Sequence, residues 1–214
     1  MNPIISAIYA GVVQGNAKQA SEKTSLAIGE GLDAETILNE GLIAAMKEVG
    51  RLFEEGEYFV PEMLVSARAM QSGMAILRPV LIAQDIRPAG KVVIGTVKGD
   101  LHDIGKNLVS MMLEGAGFQI IDLGTDVAPE KFLEAIRQNR PDIVGMSALL
   151  TTTMLNMSKT IQVLKDGGVR DGIKIIVGGA PVTEKYAAEI GADGFSPDAS
   201  QAASLARRLM GLAA

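Results

Sequence analysis

The apolar pattern of the chain changes period once, and that change restricts the fold more than any single motif. Up to about residue 85, apolar residues recur at helical spacing with no strand-like alternation. Gln84 to Gly90, with Pro88 and Gly90, reads as a linker, and beyond it short apolar runs alternate with amphipathic stretches. Strands are expected at 92–97, 119–122, 143–147, 173–177 and 194–195, and helices at 106–116, 129–139, 153–165, 183–189 and 199–210. Apolar strands separated by amphipathic helices call for a parallel sheet covered on both faces.

The first part resolves into four helices. Ile4, Ile5, Ile8 and Val12 form one apolar face, broken near Gly15 and Asn16, and a second helix rich in Ala, Lys and Glu runs to residues 29–31. Asp33 can cap a third, whose stripe is Ile37, Leu38, Leu42, Ala45, Met46 and Val49 and which Gly56 ends. A fourth opens with Pro61 and carries Met63, Leu64, Ala67, Met70, Met74 and Leu77. Short loops between amphipathic helices imply a bundle. The expected fold class is therefore α/β, with a helical bundle at 1–89 and a Rossmann-like, flavodoxin-like domain of five parallel strands at 90–214. Met46, Met63, Met70 and Met74 could pack an irregular core, or, with Phe53, Tyr58 or Phe59, could cover a flat apolar ligand; their spacing allows both.

Composition removes several function classes. The formal charge is −5, from 20 Lys and Arg against 25 Asp and Glu, and no basic block is present, so nucleic acid is not an expected partner. There is no cysteine and only one histidine in 214 residues, which leaves neither disulfides nor thiolate sites and no set of ligands for zinc. A transition metal would have to arrive largely pre-ligated. The start of the chain has no basic region of a leader, and no apolar run reaches the roughly 18 residues a membrane span needs, so a cytoplasmic protein is expected.

That single histidine sits in Gly99-Asp100-Leu101-His102-Asp103-Ile104-Gly105, on the loop leaving the first expected strand. A carboxylate two residues before a histidine can hold one ring nitrogen while the other faces a metal. Ser147-Ala148-Leu149 follows the third strand and Gly178-Gly179 the fourth, and ligands of parallel sheets bind at such carboxyl ends. Taken singly, paired glycines mark a turn, Ser-Ala-Leu says little, and a lone histidine is more often structural. Their shared position is what gives them weight.

Asp100, His102 and Gly105, then Ser147 and Leu149, then Gly178 and Gly179, resemble the D-x-H-x-x-G, S-x-L and G-G signature of corrinoid-binding domains that take cobalamin with its own base displaced. The spacings agree, with 41 residues between Gly105 and Ser147 and 28 between Leu149 and Gly178. The helical part is similar to the cap of methionine synthases and of small corrinoid proteins of methyltransferase systems. Under this resemblance His102 binds cobalt from below, Asp100 accepts its other N–H, and Thr153 is the candidate hydroxyl behind that carboxylate. Gly105, Ser147, Leu149, Gly178 and Gly179 would line the slot for the nucleotide tail, and the bundle would cover the reactive face.

The resemblance further implies a methyl carrier, not an enzyme in its own right. Such a carrier serves a substrate-specific methyltransferase, whose donor is a methylamine, methanol, a betaine or an aryl methyl ether, and an acceptor methyltransferase, with a reductive activase as a third partner. A cobalamin sensor and the cobalamin-binding subunit of a radical mutase share the signature. The chain lacks a basic helix-turn-helix for the former and would need a large catalytic partner for the latter. The phosphate-binding loops G-x-G-x-x-G and G-x-x-x-x-G-K-[ST] do not occur after the first strand.

Overall fold

The computed structural model describes residues 2–212. They form two compact units, one running to Arg87 and including Gly115–Gly117, the other made of Pro88–Glu114 and the chain from Phe118 onward.

The first unit is helical: α1 (Pro3–Val13), α2 (Ala17–Gly29), α3 (Ala34–Thr36), a π-helical stretch Ile37–Ile43, α4 (Ala44–Glu54) and α5 (Val60–Ala83). Each start is set locally. The side chains of Asn2, Asn16 and Asp33 accept the N–H groups of Ile4, Gln19 and Thr36, which have no partner inside their helices. Glu62 likewise accepts the N–H of Phe59 at the mouth of α5. The third expected helix is present as α3, the π stretch and α4 in continuous succession. A 3.6-residue apolar pattern does not announce the π segment, since seven residues of wider winding hardly displace the stripe. Pro79 lies inside α5, which continues to Ala83 without that residue's N–H.

Ile5, Ile8, Ile37, Leu42, Met46 and Leu77 fill the interior of this unit. At Gly73 an added Cβ would lie 2.8 Å from Leu42 Cδ2, so the close approach of α5 depends on glycine there. Met46, Met63 and Met70 are 1–2% exposed, which makes them core side chains, whereas Phe59 is exposed.

The second unit alternates strand and helix: β1 (Lys91–Thr96), α6 (Ile104–Gly115), β2 (Gln119–Asp122), α7 (Pro129–Asn139), β3 (Ile143–Ser147), α8 (Thr151–Asp166), β4 (Lys174–Gly178), α9 (Glu184–Ile190), β5 (Gly194–Ser196) and α10 (Ala199–Leu209). All pairings are parallel and the strand order is β2-β1-β3-β4-β5, the flavodoxin-like arrangement. Val97, expected inside the first strand, makes only an isolated bridge to Val127. α8 begins two residues earlier than its pattern suggested, which puts Thr153 inside the first turn of a helix. Phe132, Ile143, Met157, Ile161, Leu164 and Ile175 are fully buried against the sheet.

In this strand order the chain leaves β1 in one direction and reaches β3 in the other, so the crevice at their carboxyl ends is the topological switch point. The register aligns Thr96, Ser147, Gly178 and Ser196 in one row across four neighbouring strands at that edge. Small side chains along the row keep the edge low.

Candidate functional site

The loop after β1 is tied down before it reaches the histidine. Asp100 N–H donates to the Val97 carbonyl at 3.1 Å, closing a turn through Gly99, whose φ of +83° suits glycine. Asp126, on the loop after β2, accepts the Gly99 N–H at 2.7 Å and the Lys98 ammonium at 3.0 Å. Its own N–H donates to the Asp100 carbonyl at 2.9 Å. Asn156 of α8 donates to the Lys98 carbonyl at 2.7 Å, and the buried Thr96 hydroxyl donates to the His102 carbonyl at 3.0 Å.

The Asp100 carboxylate is fully buried and every lone pair is engaged. Oδ1 accepts the backbone N–H of His102 at 3.1 Å and the ring Nδ1–H at 2.7 Å. Oδ2 accepts the Leu149 N–H at 2.8 Å, the Leu150 N–H at 3.4 Å and the Thr153 hydroxyl at 2.6 Å. Leu150 opens α8 and cannot cap it with its own side chain. Asp100, on the neighbouring strand's loop, instead ties down the two residues just ahead of the helix and the Thr153 hydroxyl in its first turn, and the positive end of a sixteen-residue helix faces the carboxylate in return. Burial disfavours the charge, but the hydrogen bonds from Thr153, Leu149 and His102 outweigh it and hold the carboxyl well below the usual carboxylate range.

With Nδ1–H donated to a carboxylate, the neutral form of the ring has its lone pair on Nε2. The His102 side chain is 52% exposed. Its neighbours Leu101 and Ile104 are 73% and 76% exposed, and Leu149, Leu150 and Leu155 are also open to solvent. One oriented imidazole beside bare apolar side chains suits a metal that brings its other ligands in a flat apolar frame. It does not suit a naked ion, since among the described residues no three His, Cys, Asp or Glu gather to hold one.

The two glycine features differ physically. An added Cβ at Gly105 would meet nothing within 4 Å. At Gly179, with φ of +123°, it would fall 1.9 Å from the Ala148 carbonyl oxygen, and at Gly178 it would come to 3.0 Å from the Ser196 carbonyl. The pair therefore lets the loops after β3, β4 and β5 crowd together, whatever else it does. Ser147 accepts the Val97 N–H through its carbonyl.

Asp100, His102, Leu149 and Thr153 thus form one hydrogen-bonded group, with Gly105 in the first turn of α6 and Ser147, Gly178 and Gly179 on the adjoining strand ends. The pattern gave no sign of Thr96 or Asn156, nor of Lys106, which is buried and donates to Asn107 Oδ1 at 2.7 Å and to the Asp122 carboxylate. A Gly-Thr-Asp turn after the second strand was the one available hint of Asp126.

Two sequence profiles, both described as B12 binding domain, match the chain, one over residues 90–204 and one over residues 4–78. It is 40% identical over 203 residues to a corrinoid protein of Desulfitobacterium hafniense, covering 94% of each chain. It is 41% identical over 193 residues to trimethylamine corrinoid protein 1 of Methanosarcina acetivorans, covering 89% of each. Among solved structures, a cobalamin-binding protein of Desulfitobacterium hafniense superimposes with a TM-score of 0.81 at 31% identity, over 96% of this chain and 98% of that one. A chain of the methanol:cobalamin methyltransferase complex of Methanosarcina barkeri gives 0.87 at 29% identity, over 98% of this chain and 80% of its own.

Proposed function

Because the chain belongs to the B12-binding domain family and so takes a corrinoid, we propose that it is a methyl-carrying corrinoid protein serving separate methyltransferases. The observation that carries this reading is the Asp100–His102 pair at the switch point, with Nδ1 held at 2.7 Å and half the imidazole side chain open. When bound, the corrinoid supplies a cobalt centre that can take up and give away a methyl group.

The residues of the chain do the rest. His102 would hold the cobalt through Nε2, with Asp100 fixing its tautomer and its angle. Thr153 donates to the carboxylate from behind, and the α8 N-terminus keeps that carboxylate charged. Gly105, Ser147, Leu149, Gly178 and Gly179 border the space for the nucleotide tail. A division of the chain at residues 89 and 90 is part of the same proposal, supported by the limits of the two family profiles.

Activation of the methyl donor falls to another protein. With no cysteine, and with its one histidine used at the site, the chain has no thiolate or imidazole set to polarise a thiol, amine or ether. A substrate-specific methyltransferase, an acceptor methyltransferase and a reductive activase are the partners, and methylamine or methanol the donor class that the named relatives favour. No helix among the described residues is long and apolar enough to cross a membrane.

Reconstitution with hydroxocobalamin tests the reading. The purified protein should take up the coloured cofactor, and its Co(II) paramagnetic spectrum should carry splitting from one axial nitrogen. His102→Ala should still bind the corrinoid but lose that splitting. A protein that stays colourless in excess hydroxocobalamin, or a variant whose spectrum is unchanged, would overturn it. A positive result leads to a screen of methylamines and methanol with candidate methyltransferases.

A further inference from the structure

We propose that Asp126, on the loop after β2, is a positioning residue for His102, acting by clamping the three consecutive residues Lys98, Gly99 and Asp100 that lead up to it. It touches each of them: the Lys98 ammonium at 3.0 Å, the Gly99 N–H at 2.7 Å, and the Asp100 carbonyl, which accepts the Asp126 N–H at 2.9 Å. Asp126 is one of three non-glycine residues with positive φ among those described, at +54°, a conformation that costs an ordinary side chain energy and that Asp and Asn tolerate best. That conformation lets one residue use its backbone N–H and both carboxylate oxygens on the same stretch of loop.

The geometry matters because Asp100 and His102 occupy a turn that no regular element contains. Asp100 fixes the ring of His102, but Asp100 can do so only where its own backbone is held. The Thr96 hydroxyl holds the far end of the turn at the His102 carbonyl, and Asn156 holds the Lys98 carbonyl. Asp126 holds the middle. A small shift of a ligating group weakens a metal bond steeply, so a clamp outside the hydrogen-bonded pair governs how firmly the imidazole is presented.

This role rests on His102 being the ligand proposed above, and the test separates the two ideas. Asp126→Gly removes the carboxylate while leaving a residue that adopts φ of +54° freely, so the fold is kept. Asp126→Asn returns an amide oxygen able to accept the Gly99 N–H in the same conformation. The first readout is the 15N spectrum of the single histidine in the cofactor-free full chain. Asp126→Gly should lose the slowly exchanging, strongly hydrogen-bonded Nδ1–H, and Asp126→Asn should keep it.

The second readout is the Co(II) spectrum after cobalamin loading. Asp126→Gly should retain the corrinoid but show a several-fold smaller fraction with axial nitrogen, restored by Asp126→Asn. Equal Nδ1–H protection in the wild type and Asp126→Gly overturns the clamp. So does an equal nitrogen-bound fraction in a wild type that shows the splitting. A wild type without splitting overturns the ligand assignment instead, and the cofactor-free spectrum then still decides whether Asp126 orders the turn.

Discussion

At the residue scale, Asp100 does two jobs that are normally given to different side chains. It orients an imidazole and it anchors the start of a helix, and both use hydrogen bonds that only the ionised carboxylate accepts in full. Because the folded protein depresses its pKa, the native state holds fewer protons than the unfolded state in the acid range. Stability from this group is therefore complete above the unfolded value of about 3.9 and is lost as pH falls toward the depressed one. Asp100→Asn should cost about 2–4 kcal/mol near neutrality, since it leaves buried N–H groups facing an amide. Melting curves of both proteins should converge as pH is lowered below about 4, and a gap that stays constant down to pH 2 would count against an ionised Asp100.

At the element scale, the glycines around the strand ends stand on different physical footings. Gly179 is required by its neighbour: a methyl group there meets the Ala148 carbonyl at 1.9 Å in a left-handed conformation. Gly179→Ala should therefore destabilise by about 3 kcal/mol or more, read by denaturant unfolding, because backbone on both sides must move. Gly105 meets nothing and lies in the first turn of α6, so the folded chain gives no reason for it. Gly105→Ala should raise stability by roughly 0.5–1 kcal/mol through helix propensity, yet weaken cobalamin binding in an absorbance titration if the tail passes there. Unchanged affinity in this variant would remove Gly105 from the slot.

For the whole molecule, ligand binding should be visible as stability. A corrinoid that binds only the folded chain adds RT ln(1 + [L]/Kd), about 2.7 kcal/mol at a hundredfold excess over Kd. Differential scanning of the full chain with increasing cobalamin should show a rising transition, and His102→Ala should show a smaller rise at equal concentration. A transition insensitive to cobalamin at saturating absorbance would mean that the unfolded chain binds it as well.

The two periods in the apolar pattern were enough to foresee helices followed by a parallel sheet, because burial of a helix stripe and burial of a strand leave different spacings in the chain. The Asp100–His102 pair was also readable, since both members lie within one turn. What the pattern could not contain is the company they keep. Thr153, Leu149, Asp126 and Asn156 reach the same loop from 27 to 58 positions away, and hydrogen bonds at that separation leave no periodic trace; only the family resemblance pointed to the first two. Local sequence determined which elements form and where the imidazole sits along the chain. Only the folding of the strands side by side decided that a buried carboxylate would be anchored at the start of a distant helix, and so which way that imidazole is turned.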